Sequence, residues 1–75
     1  MSHKQASSLD LKVIGKRIRT LRGELSQDEF AAAMGVSQGQ LSKIEHGRMG
    51  PTLEMLIRLS SRYGKSLDWI VLGRS

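Results

Sequence analysis

Apolar residues recur along this chain at helical intervals and almost never alternate. Leu11, Ile14, Ile18 and Leu21 share one helix face, with Lys12, Lys16 and Arg19 opposite. Asp10 stands where an N-cap belongs, and Gly23 closes the segment. Ser26-Gln27-Asp28-Glu29 is a capping box: the Ser26 hydroxyl can accept from the Glu29 amide while Glu29 reaches back. Phe30, Ala31 and Met34 then form an apolar stripe that ends at Gly35. Almost at once Ser37-Gln38-Gly39-Gln40 repeats the capping box, which forces a sharp turn between two short helices. Leu41 and Ile44 are the apolar pair of this third helix; Gln38, Gly39, Ser42, Lys43 and His46 take the opposite face. Gly47 closes it, and Gly50-Pro51 bars its continuation. Thr52 caps a fourth helix expected to turn Leu53, Leu56, Ile57 and Tyr63 inward before Gly64. Ser66 caps a short fifth helix containing Leu67, Trp69, Ile70, Val71 and Leu72. No strand pattern competes, so the expected class is all-α with five helices.

With 75 residues, one domain is expected. A chain this short buries only about 60% of its unfolded surface, so the core is thin. Residues 1–9 lack apolar periodicity and read as a flexible N-terminal arm; residues 10–75 carry the domain. The absence of Cys excludes disulfides and thiolate metal sites. His3 and His46 have no ligand spacing, and Ser26, Ser37 and Ser42 have no His–Asp arrangement. No metal, cofactor or catalysis is therefore expected. Met34, Met49 and Met55 read as packing residues. With neither a spanning segment nor a secretory leader in view, a cytoplasmic location is the expectation.

The charge balance narrows the partner. A net charge of +5 and a pI near 10.3 suit a polyanion. The excess lies mainly at the start, where Lys4, Lys12, Lys16, Arg17, Arg19 and Arg22 meet only Asp10 and Glu24. Residues 26–50 are net acidic, so phosphate affinity there must lean on amides, helix N-termini and a few cations.

The stretch from Ser26 to Gly47 is two short helices joined by a tight glycine turn, the pattern of a helix-turn-helix. Ala31 is small where the helices cross, and Val36, Leu41 and Ile44 can lock the second onto the first. What stays outward on the second helix is small or polar, and a helix fits the DNA major groove.

These residues also carry a resemblance. Ser26-Gln27-Asp28-Glu29-Phe30-Ala31, Gly35-Val36-Ser37 and Leu41-Ser42-Lys43-Ile44-Glu45-His46-Gly47 resemble the Cro and lambda-repressor type of helix-turn-helix domain. Ile18-Arg19-Thr20-Leu21-Arg22, Pro51-Thr52-Leu53 and Ser66-Leu67-Asp68-Trp69-Ile70 extend the likeness over residues 11–73. The resemblance implies a five-helix bundle that binds double-stranded DNA, usually as a homodimer, and regulates transcription, most often as a repressor. Base-reading positions would be Gln38, Gly39, Ser42 and Lys43, with Gln38 suited to adenine and Lys43 to guanine. Phosphate contacts would be Gln27, Ser37 and Gln40, with His46 and Arg48 in the loop beyond. Arg22 matches a first-helix Arg that pairs with Glu45, although the segment from Arg22 to Gln27 is shorter than is common in the family. Gly39 offers no side chain where the family often reads a base.

The fifth helix holds more apolar surface than a thin core can take, so Trp69, Ile70, Val71 and Leu72 are expected at a two-fold interface. The alternative is a protein-interaction or antitoxin-like module with secondary DNA binding. The outward polar set on the third helix weighs against that as a sole role.

Overall fold

Each of the five expected helices starts beside the residue read as its cap. The computed structural model describes residues 9–74. Most of the N-terminal arm, residues 1–8, lies outside the described residues. The helices are α1 (Leu11–Arg22), α2 (Gln27–Met34), α3 (Gln38–Glu45), α4 (Leu53–Tyr63) and α5 (Leu67–Leu72). Among the described residues there is no strand, and no helix is long and apolar enough to cross a membrane.

The caps form as their chemistry requires. Asp10 Oδ1 accepts from the Lys12 and Val13 amides at 3.1 and 3.3 Å. Both capping boxes close: Ser26 with Glu29, and Ser37 with Gln40. Thr52 and Ser66 accept from the Met55 and Trp69 amides. Gly35 ends α2 in the left-handed region at φ 77°, which a residue with a Cβ enters only under strain. The first small difference lies at the end of α3, where His46 is the C-cap and Gly47 follows at φ 76°.

All five helices contribute to one core. Ile14 and Ile18 from α1, Phe30, Ala31 and Met34 from α2, and Leu41 and Ile44 from α3 are buried with Met55, Leu59 and Ile70. Helices of eight residues, such as α2 and α3, are marginal alone, so this shared burial holds them. Arg side chains tie the edges. Arg17 donates to the Ile70 and Val71 carbonyl oxygens at 3.1 and 3.3 Å, anchoring the end of α5 to α1. Arg58 donates to the Ala33 carbonyl at 3.2 Å and pairs with Glu54.

Two expectations are corrected here. On α4 the inward positions are Met55 and Leu59, both fully buried, whereas Leu53 and Ile57 are 76% and 62% exposed. Leu56 and Tyr63 are half-buried. At 100° per residue Leu53 and Ile57 lie across the helix from Met55, so two apolar stripes compete and neighbouring helices choose between them. On α5, Ile70 is fully buried in this chain's own core, which removes its side chain from the expected dimer contacts. Trp69, Val71 and Leu72 are only half-buried.

The α1 helix packs tightly on the end of α3 at Gly15. A Cβ at Gly15 would lie 2.5 Å from the Ile44 carbonyl oxygen and 2.6 Å from that of Glu45. A Cβ at Gly39, by contrast, would meet only Ser37 Oγ at 4.0 Å. These two helical glycines should therefore respond oppositely to alanine. Gly15→Ala is expected to lose about 1–3 kcal/mol by overpacking, and Gly39→Ala to gain about 0.5–1 kcal/mol from higher helix propensity. Urea melts of both variants provide the measurement; a Gly15→Ala protein as stable as the parent would mean that α1 and α3 are less closely packed.

Candidate nucleic-acid interface

The tight turn from Gly35 to Ser37 sets α3 at the surface with its apolar side held down. Leu41 and Ile44 are fully buried, while Gln38, Gly39 and Lys43 are exposed and Ser42 is half-buried. The four expected base-reading positions thus share the outer side of one short helix. Ser37 is exposed at its start, and Gln40 is half-buried with its side-chain oxygen accepting from the Ser37 amide at 3.1 Å. His46 and Arg48 are exposed just beyond its end. His46 Nδ1 lies 2.8 Å from the Ser42 carbonyl oxygen, which requires the proton on Nδ1 and fixes the ring against the last turn. Polar and basic side chains thus flank the outer side of α3 at both of its ends.

Beneath that face lies a buried carboxylate. The Glu45 side chain is 3% exposed and faces Arg22, 15% exposed, in a two-pronged ion pair. Arg22 Nε donates to Oε2 at 2.7 Å and Nη2 to Oε1 at 3.0 Å. A third Arg22 nitrogen, Nη1, donates to the Leu25 carbonyl at 2.9 Å. The short link from Arg22 to Gln27 therefore permits the pairing, and Arg22 fastens that link as well. Hydrogen bonding to Glu45 raises the Arg22 guanidinium above its ordinary pKa; desolvation opposes the rise and the carboxylate's charge adds to it.

Gln27 joins this group, which its spacing did not reveal. Gln27 Nε2 donates to Glu45 Oε1 at 3.0 Å, and Gln27 Oε1 accepts from Gln38 Nε2 at 2.6 Å. A polar chain thus runs from α1 through the buried end of α3 and the start of α2 to the first residue of α3. No buried side-chain nitrogen or oxygen is left without a partner among the described residues. No cluster of His, Cys, Asp or Glu among them could hold a metal ion.

Residues 16–70 match the helix-turn-helix family, spanning most of the chain. This protein belongs to the helix-turn-helix family. Its fold is that of a phage-repressor helix-turn-helix domain. An uncharacterised HTH-type transcriptional regulator of Sinorhizobium fredii is 40% identical over 57 residues, covering 73% of this chain and 74% of that protein. A putative HTH-type transcriptional regulatory protein of Methanocorpusculum labreanum is 41% identical over 61 residues. That match takes in 79% of this chain and 19% of the archaeal protein, so the present chain spans a small part of its length. Among solved structures, the P22 c2 repressor in complex with a synthetic operator superimposes with a TM-score of 0.70 at 32% identity. The likeness covers 81% of this chain and 96% of the repressor chain.

The helix-turn-helix depends on the Arg22–Glu45 pair more than on a surface ion pair. Removing Arg22 would strand a carboxylate in the protein, so Arg22→Ala is expected to cost about 3 kcal/mol or more. Lys at this position supplies charge without the planar fork and should restore only part of that stability. Denaturant midpoints of Arg22→Ala and Arg22→Lys test this; a loss for Arg22→Ala below about 1 kcal/mol would place the pair among exposed ones.

Proposed function

We propose that this protein is a sequence-specific transcriptional regulator, acting as a repressor by occupying operator DNA without chemistry. In this reading α3 lies in the major groove with Gln38, Gly39, Ser42 and Lys43 toward base edges. Gln27, Ser37, Gln40, His46 and Arg48 hold the flanking phosphates and set the docking angle. The observation that carries it is the exposed polar side of α3, braced from below, on a fold shared with a repressor bound to its operator. The absence of a side chain at Gly39 lets the α3 backbone approach the DNA closely.

Pairing of two domains completes the reading. Trp69, Val71 and Leu72 retain exposed surface, and Val71 also lines an apolar groove of about 230 Å³ with Leu11, Pro51 and Leu56. A two-fold contact there would cover apolar surface and double the phosphate contacts. It would place two α3 helices on half-sites about one helical turn apart, roughly 34–36 Å.

Selection of bound duplexes from a random library, followed by titration across a salt series, tests the reading. Gln38→Ala and Lys43→Ala are each expected to cost about 1–3 kcal/mol on the best site and to relax preference at one position. Arg48→Ala should weaken all sequences alike and flatten the salt dependence. Unchanged selected-site profiles in both Ala variants of α3 would refute this reading face.

Sedimentation on a selected palindromic duplex tests the pairing. Two chains per duplex are expected, with Val71→Glu and Leu72→Glu each binding more weakly. A single chain per duplex at saturation, unaffected by either substitution, would exclude the dimer.

A further inference from the structure

The last carbonyls of a helix have no partners inside it, and α5 is only six residues long. The Gly73 amide donates to the Trp69 carbonyl oxygen at 3.0 Å, and the Arg74 amide to that of Asp68 at 3.3 Å. The next two carbonyls, of Ile70 and Val71, are served from another helix. Arg17 Nη1 donates to them at 3.1 and 3.3 Å. Gly73 leaves room for the guanidinium: a Cβ there would collide with it. On the reading that two domains pair through α5, we infer that Arg17 sets which half-site spacing the pair accepts, by holding the end of α5 on α1.

Spacing is read by geometry and not by base contacts. In a two-fold dimer, the separation of the two α3 helices follows from the path between α3 and the pairing surface. Here that path runs through α1. Gly15 seats the end of α3, and Arg17, two residues further on, seats the end of α5. Two residues turn a helix by about 200°, so the two contacts lie on opposite sides of α1. Arg17 holds the Val71 carbonyl while the Val71 side chain lines the apolar groove with Leu11, Pro51 and Leu56. Without Arg17, α5 keeps Ile70 in the core but loses the hold on its last turn. That turn carries Val71 and Leu72, the surface that two copies would share. The outer side of α3 is braced through Gly15, Arg22 and Gln27 without recourse to Arg17.

A residue with a purely structural role would affect single and paired half-sites alike. The full chain and its variants, each checked for folding by its thermal melt, are therefore titrated on four duplexes. One carries a single selected half-site; the others carry two, at the preferred spacing and at one base pair wider or narrower. Each added base pair moves a half-site by about 3.4 Å and turns it by roughly a tenth of a turn. The parent is expected to favour one spacing. Arg17→Met keeps the stem and removes the donors. It should bind the single half-site as the parent does and lose about tenfold in the ratio of paired-site to single-site affinity. Its preference among the three spacings should flatten. Arg17→Lys keeps the charge without the planar fork and should fall between the two. If Arg17→Met does not fold, Arg17→Lys decides.

Amide hydrogen exchange of the free protein supplies a readout that needs no DNA. Exchange from Ile70 to Arg74 should quicken in Arg17→Met, with α3 unaffected. A parent that binds the paired site as one chain per duplex would overturn the pairing reading itself. A parent that binds as two chains, with the affinity ratio and spacing preference unchanged in Arg17→Met, would overturn this inference alone. Unchanged exchange at the end of α5 would overturn it as well.

Discussion

A carboxylate buried under a surface helix must find hydrogen bonds within the protein, because water cannot supply them. Glu45 is that group here, and much of the structure is arranged around it. Arg22 must end α1 where its guanidinium can reach both carboxylate oxygens. Its remaining reach to the Leu25 carbonyl then fixes the link into α2. Gln27 opens α2 where its amide completes the set. Gly15 has no Cβ because α1 rests on the very carbonyls that end α3. The outer side of α3 is thus held from three directions before any ligand arrives, which limits the ordering that binding would require.

The apolar core does the complementary work. Leu41 and Ile44 seat α3, Phe30 and Met34 seat α2, and Ile70 closes the base through α5. None of these short helices would persist alone. Caps and core act together: the serines and Thr52 satisfy the first amides, and burial supplies the cooperativity. Polar and apolar contributions agree on one orientation for α3, which is the consistency expected of a sequence with one folded state.

Local signals made most of the fold legible. Capping boxes and glycine stops are short-range chemistry, and each of the five helix starts could be placed from a few adjacent residues. The turn at Gly35 and the outward set on α3 followed from the same signals. What escaped depends on neighbours. On α4, Leu53-Leu56-Ile57 and Met55-Leu59 are both plausible helical stripes, and only the packed partners favour the second. Ile70 lies among several apolar residues of α5, and its neighbours alone do not show which of them turns inward. The role of Gln27 was half visible: a polar residue opening a helix suits phosphate, but its tie to Glu45 spans two helices and leaves no mark in spacing. Arg22 and Glu45 were readable as a pair only through resemblance, and the short link between α1 and α2 argued against them until the Leu25 contact was seen.

The central claim is that the braced outer side of α3 is where DNA is met. Backbone amide NMR during titration with a selected duplex tests it most directly. The account predicts the largest perturbations at Gln27 and from Ser37 to Arg48, with Leu53 to Arg62 nearly unmoved. Perturbations centred on the exposed side of α4, with α3 silent, would contradict it.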